Sequence, residues 1–240
     1  MVLLWYIPSV LLIILLGALV RRQAYRRFPC FFAYVSFGVV ADTARLLAVH
    51  NKGLYFVTYW GTEAGYWLLG IVVMYEVLKA ALGTFARTAY VRGIFLLILV
   101  AGIGLSFARS HAAPSPFSGL RFYILAGAIV VRFVEVIIFA GLVSLVPILG
   151  LRWRQYSFGI ATGFGLYATI ALLLTTKFSD FGTRFKFFWD ATLVVAYSLA
   201  VLIWIWFFSV PQKMETPSSE MSAPSPGELK QYKDALRRMR

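Results

Sequence analysis

The sequence predicts an all-α, polytopic membrane protein: a bundle of about seven transmembrane helices, with the N-terminus outside and the C-terminus in the cytoplasm. Of the 240 residues, 60% are hydrophobic and only 14% are charged, whereas a soluble domain of this length carries about 25% charged residues. The long apolar runs do not alternate polar with apolar positions, so they predict helices and not barrel strands. Basic residues also collect on one side of the predicted spans, as they do in membrane proteins.

Seven apolar runs are each long enough to cross a hydrocarbon core as a helix. The predicted spans are residues 2–20, 29–49, 54–78, 91–109, 120–148, 156–176 and 187–210. Four arginines between positions 21 and 27 follow the first span, an order that holds it in the membrane and does not mark a cleavable signal. Of the Lys and Arg residues, 15 fall on the predicted inner side and 6 on the outer side. We therefore expect an integral, multi-pass protein of the plasma (inner) membrane.

The C-terminal region differs in composition from the seven-helix transmembrane domain, residues 1–210. Residues 211–225 are rich in proline and serine and predict a flexible cytoplasmic linker. Residues 226–240 predict a basic amphipathic helix, with Ser225 as N-cap and Glu228 completing a capping box. Such a helix either ends the chain in solvent or binds anionic lipid or a cytoplasmic partner.

Composition and motifs exclude several functions. The net charge of +13 is explained by the loops and the tail, and no nucleic-acid-binding motif accompanies it. Cys30 is the single cysteine, so no internal disulfide forms, and a thiolate metal site is not expected. The sequence holds no HExxH or GxSxG motif. We expect no cofactor, no metal and no catalytic residues, and an intramembrane enzyme ranks third among the function classes.

Charged residues inside the spans are the candidates for function. Each costs about 2.5–3.5 kcal/mol at a helix centre, so such residues face the bundle and pair. Glu135 follows Arg132 by three residues and is its expected partner, whereas Arg45 has two candidate partners, Asp42 and Glu63. Glu76 and Lys79 are interpreted as an interfacial pair at the inner boundary.

Two function classes fit this pattern. The first is a transporter or sensor that binds a small anionic or zwitterionic ligand in an outward-facing pocket. Its predicted ligand-binding residues are Asp42, Arg45, Tyr59, Trp60, Glu63, Trp67, Arg132, Glu135 and Asp190. The second is a structural or assembly subunit whose buried charges only fix helix packing. If neither Asp42 nor Glu63 reaches Arg45, a positive field remains there for a ligand.

The sixth predicted span carries Gly159 and Gly163 at GxxxG spacing. Such a face lets another helix approach closely. We expect it to serve packing inside the monomer in preference to dimerisation.

Overall fold

The computed structural model describes residues 2–82, 93, 95–97, 100–101, 103–104, 120–148, 155–181 and 186–210. None of these residues is in a strand, which confirms the all-α prediction for them. The predicted fourth span, 91–109, is described only in part, and it is helical where described. The linker predicted at 211–225 and the helix predicted at 226–240 lie outside the described residues.

Six long helices lie within these ranges, close to the bounds predicted from the sequence. They are α1 (Val2–Arg21), α2 (Pro29–Ala48), α3 (Lys52–Leu82), α4 (Leu120–Ile148), α5 (Gln155–Phe181) and α6 (Lys186–Ser209). A short 3-10 turn, Ala24–Arg26, separates α1 from α2.

Local sequence explains where these helices begin. Gln23 adopts a left-handed φ of 51° and reverses the chain after α1. Pro29 occupies the first turn of α2, where its missing N–H leaves no bond unmade. The Asn51 side chain accepts hydrogen bonds from the N–H groups of Gly53 and Leu54, each at 3.1 Å, and so caps the start of α3. The tight connection makes α2 and α3 antiparallel neighbours.

Four helices of the described part are long and apolar enough to cross a membrane: Pro29–Ala48, Lys52–Ala81, Tyr156–Leu174 and Phe187–Ser209. The apolar stretch Tyr6–Arg21 of α1 is shorter. Large apolar side chains also cover the outside of the helices, among them Leu47 at 78% exposure and Trp206 at 69%. Apolar surface of this extent suits lipid and not water, which indicates a membrane protein.

The six helices form a closed ring in chain order. Each contacts its neighbour along the chain, α6 contacts α1, and α3 also contacts α5. The Arg22 guanidinium donates to the Ser209 carbonyl at 2.7 Å, which ties the end of α1 to the end of α6. This end of the bundle also holds the start of α2 and carries Arg21, Arg22, Arg26 and Arg27; we call it the basic end.

An aromatic core fills the bundle toward the basic end. Phe31 of α2 lies 5.2 Å from Trp204 and 5.7 Å from Phe208, both of α6, between ring centroids. Gly159 and Gly163 of α5 face the rings of Phe207 and Trp204, which would clash with any added Cβ. The GxxxG spacing therefore serves packing between α5 and α6 of one chain, as predicted. The charged residues of α2 and the start of α3 lie toward the opposite end.

Candidate functional site

An ion pair joins α2 to α3. The Arg45 Nη2 donates to Glu63 Oε1 at 2.9 Å, and its Nε donates to the Thr62 hydroxyl at 2.8 Å. The guanidinium carbon lies 4.9 Å from the centre of the Tyr59 ring and 5.7 Å from that of Tyr66. The Glu63 side chain is 34% exposed and that of Arg45 is 20% exposed. The pair is therefore oriented by neighbours and still accessible.

Helix geometry explains why these two residues meet. Arg45 lies about 9 Å from the turn at Asn51 along α2, and Glu63 lies about 18 Å from it along α3. Side chains of a helix lean toward its N-terminus. Because α2 and α3 are antiparallel, the Arg45 side chain leans away from the turn and the Glu63 side chain leans toward it. The two side chains therefore meet although their backbones lie at different distances from the turn.

Asp42 is hydrogen-bonded to Ser9 and not paired with Arg45, for which it was a candidate partner. The Ser9 hydroxyl of α1 donates to Asp42 Oδ2 at 2.6 Å. Asp42 also lies close enough to Tyr66 and Tyr197 to interact with them electrostatically. Glu63 therefore reaches Arg45 while Asp42 turns toward α1, so the condition for an unbalanced positive field at Arg45 is not met.

The second ion pair lies within α4. Arg132 Nη1 donates to Glu135 Oε2 at 2.6 Å, as the three-residue spacing predicted, and Arg132 stacks 4.4 Å from the centre of the Tyr167 ring. Glu135 is only 1% exposed. Gly70 of α3 makes room for this carboxylate, because a Cβ there would lie 3.1 Å from Glu135 Oε1.

Tyrosines occupy the space between the two ion pairs. The rings of Tyr34 and Tyr66 lie 5.6 Å apart, and those of Tyr167 and Tyr197 lie 5.4 Å apart. Tyr167 interacts electrostatically with both arginines and both glutamates of the pairs. The Tyr197 hydroxyl is buried and has no hydrogen-bond partner among the described residues. We call the two ion pairs, together with the side chains that contact them, the polar region.

A surface groove opens beside the Arg45–Glu63 pair, with a volume of about 370 Å³. It is lined by Val49, Lys52, Tyr55, Phe56, Tyr59 and Trp60. Tyr59 lies at the boundary, since its ring lines the groove and also contacts the Arg45 guanidinium. The Trp60 ring stands perpendicular to that of Tyr59 at 5.4 Å. Two aromatic residues of the predicted site are thus at the groove.

Trp67 and Asp190 lie away from this groove. The Trp67 ring packs toward Gly127 of α4, where an added Cβ would lie 3.2 Å from it, and its Nε1 is buried with no acceptor in the part of the chain that the structure describes. Asp190 of α6 is partly buried, and no ion pair to it is found in the described part of the chain. In the described part of the chain, the hydrogen bonds and ring contacts of Arg45 go to Thr62, Glu63, Tyr59 and Tyr66 and not to these two residues.

Four residues of the polar region were missed at the sequence level: Ser9, Thr62, Tyr66 and Tyr167. Thr62 and Tyr66 share a helical face with Tyr59, a spacing that was available in the sequence. Ser9 and Tyr167 lie on spans that carry no candidate charge, so nothing in their own helices marks them.

Glu76 also has a role that differs from the predicted pair with Lys79. Its two carboxylate oxygens accept the backbone N–H groups of Cys30 and Phe31 at 3.0 and 2.9 Å. Glu76 of α3 therefore caps the start of α2, where the helix dipole favours a negative charge.

No three metal-ligating side chains come together in the part of the chain that the structure describes. A comparison of the chain with protein families, curated proteins and solved structures finds no significant match.

Proposed function

We propose that the chain is a seven-helix, multi-pass protein of the plasma (inner) membrane, with its N-terminus outside and its C-terminus in the cytoplasm. The apolar outer surfaces of the helices support membrane insertion. The arginines of the basic end support the orientation, because cytoplasmic loops of membrane proteins carry an excess of Lys and Arg. The sequence between α3 and α4 supplies the remaining span.

Reporter fusions test this topology. A reporter that is active only in the cytoplasm should work when fused after residue 210 and fail when inserted within 110–119. A fusion after residue 82 provides a second cytoplasmic site. Activity at 110–119 together with silence after residue 210 would reverse the orientation.

We propose further that the protein is a transporter or sensor whose outward-facing groove binds a small, partly apolar ligand that is anionic or zwitterionic. The observation that carries this proposal is Tyr59, which joins an open aromatic groove to an accessible ion pair. Aromatic rings accept the apolar part of a ligand, and its carboxylate matches the planar donors of Arg45 and the ammonium of Lys52.

The pairing of Arg45 with Glu63 favours the zwitterion over the simple anion. A carboxylate alone would meet an arginine that already has a carboxylate partner. A ligand with an ammonium as well as a carboxylate satisfies both members of the pair, and its ammonium is also attracted by the ring faces of the groove.

Ligand screening of the purified full-length chain tests the proposal. We would measure the thermal unfolding midpoint with free amino acids and with the amines and acids that lack one of the two charges. Amino acids with apolar side chains should raise the midpoint most, acids less and amines least. Arg45→Gln and Tyr59→Leu should remove the shift, whereas Tyr25→Leu at the basic end should preserve it. A midpoint that responds equally in the wild type and Arg45→Gln would contradict the site.

An experiment in reconstituted vesicles distinguishes a transporter from a sensor. A transporter should accumulate the radiolabelled amino acid that gives the largest thermal shift, in a manner blocked by Arg45→Gln. A sensor should bind it at the same groove without accumulation.

A structural or assembly role is the second candidate, and the Arg132–Glu135 pair favours it. That pair lies within one helix, its carboxylate is 1% exposed, and both charges are satisfied by each other. If the Arg45–Glu63 pair behaves in the same way under mutation, the whole polar region serves assembly.

We also propose that residues 226–240 form a helix that binds anionic lipid of the inner leaflet. Its basic residues provide the attraction, which salt weakens by screening. A peptide of these residues should gain helical circular dichroism with anionic vesicles and lose it as salt rises. A peptide that stays disordered at low salt would contradict this.

A further inference from the structure

A second groove lies at the basic end, between the ends of α1 and α6. Its volume is about 480 Å³, and it is lined by Gly17, Ala18, Arg21, Arg22, Phe208 and Ser209. It is separate from the aromatic groove at the opposite end of the bundle, and nothing in the proposed ligand site uses it.

The rim of this groove is positively charged. Arg22 is held in place by the Ser209 carbonyl, which takes one of its five N–H donors. Arg21 lies in the last turn of α1 and is exposed. Glu76, a carboxylate at this end of the bundle, is occupied by the N–H groups at the start of α2. The remaining guanidinium donors therefore favour an anion.

The floor of the groove is apolar and continues along α1. Phe208 is fully buried beneath it, and Gly17 has no atom within 4 Å of the position of an added Cβ. Val10 and Ile14, 54% and 52% exposed, lie on the same helical face as Gly17 and Arg21. An apolar strip thus leads from the arginines toward the middle of the helix.

We propose that this groove binds an anionic phospholipid. The headgroup phosphate accepts hydrogen bonds from Arg21 and Arg22, and an acyl chain lies over Gly17 and along Val10 and Ile14. A free phosphate would use the arginines but not the apolar strip, so the combination favours lipid. The proposal requires the helices to lie in a bilayer and is independent of the aromatic groove.

The test is lipid binding to the purified full-length chain, measured by native mass spectrometry. Phosphatidylglycerol and phosphatidylcholine with identical acyl chains would be titrated against the wild type, Arg21→Gln, Arg22→Gln and Gly17→Leu. Phosphatidylglycerol should bind more tightly than phosphatidylcholine, and each arginine variant should lose about tenfold in affinity for it, because a hydrogen bond to the charged phosphate is lost. Gly17→Leu should weaken both lipids, because the new side chain fills the groove.

Arg26→Gln is the matched control. It removes the same charge from the same end of the bundle, but Arg26 contacts the Tyr25 ring and does not line the groove. It should change the affinity for phosphatidylglycerol less than twofold. Arg22→Gln also removes the bond to Ser209, so a folding defect in that variant leaves the decision to Arg21→Gln and Gly17→Leu.

Three outcomes would overturn the proposal. The first is an equal loss in Arg26→Gln and Arg21→Gln, which would mean a diffuse attraction of the basic end. The second is unchanged lipid binding in Gly17→Leu. The third is full displacement of phosphatidylglycerol by inorganic phosphate, which would assign the site to a free anion. Amino-acid binding at the aromatic groove should be unaffected in every one of these variants that folds, so failure of the lipid site is distinct from failure of the aromatic groove.

Discussion

The two arginine–glutamate pairs are alike in their arginines and differ in their glutamates. Arg45 and Arg132 are each 20% exposed, and each guanidinium lies over a tyrosine ring. Glu63, however, is 34% exposed and reaches across from a second helix, whereas Glu135 is 1% exposed and lies one turn along the same helix. A charged residue inside a membrane helix is therefore a candidate binding residue only when its ion-pair partner is exposed enough for a ligand to take its place.

The largest expected effect is at the buried pair. Arg132→Gln leaves Glu135 as an uncompensated buried charge, which should lower the free energy of unfolding by about 3–5 kcal/mol. The measurement is the yield of monodisperse protein and its chemical unfolding in detergent.

The control is the double variant Arg132→Gln with Glu135→Gln. Removing both charges should restore most of the stability, because no buried charge is then left alone. A double variant as unstable as Arg132→Gln would show that Arg132 acts through its contact with Tyr167 and not through its pairing with Glu135.

Mutation of the accessible Arg45–Glu63 pair should change the free energy of unfolding less. Arg45→Gln should cost about 1 kcal/mol of unfolding free energy, because in the proposed outward-facing pocket water would partly replace the lost partner of Glu63. A double-mutant cycle with Glu63→Gln measures the coupling, which we expect to be several-fold smaller than at the Arg132 pair. Equal couplings at the two pairs would break the comparison and favour a structural role for both.

The smallest effect concerns two glycines of α3, Gly61 with open space at its Cβ position and Gly70 beside Glu135. Gly61→Ala should raise the free energy of unfolding by about 0.5–1 kcal/mol, since alanine is the better helix former and the new Cβ meets no atom within 4 Å. At Gly70 the same change places Cβ 3.1 Å from Glu135 Oε1, so the gain should be cancelled or reversed. Thermal unfolding of the two variants in parallel measures this, and equal gains would mean that Glu135 has room to move.

Much of the fold could be predicted because span length and apolar composition act within each helix. The pairing of Arg132 with Glu135 could also be predicted, since both residues lie on one turn. The partner of Arg45 could not, because it depends on how α2 and α3 lean past each other and on Ser9 of α1 engaging Asp42. Tyr167 was missed because its span carries no candidate charge to draw attention to it.

The partner of Glu76 could not be predicted from the sequence either. Its nearest basic residue in the sequence is Lys79, which led to the expectation of a local pair. The carboxylate instead binds backbone N–H groups that lie more than 40 positions earlier in the chain. Charged side chains can be found in a sequence, but free backbone N–H groups at a helix start cannot. They become the partner of Glu76 only because α2 packs against α3.

The closure of the ring between α1 and α6 has a consequence for biosynthesis. α1 packs against α6, which begins only at Lys186 and is therefore synthesised much later. At translation rates of about 5–20 residues per second, α1 waits roughly 10–40 s for that neighbour. Until then lipid or an insertion factor must cover the face of α1 that α6 will occupy, and the Arg22 guanidinium has no Ser209 carbonyl to bind. A chain stalled before α6 should therefore remain an open arc that is exposed to quality-control proteases until α6 arrives and closes the ring.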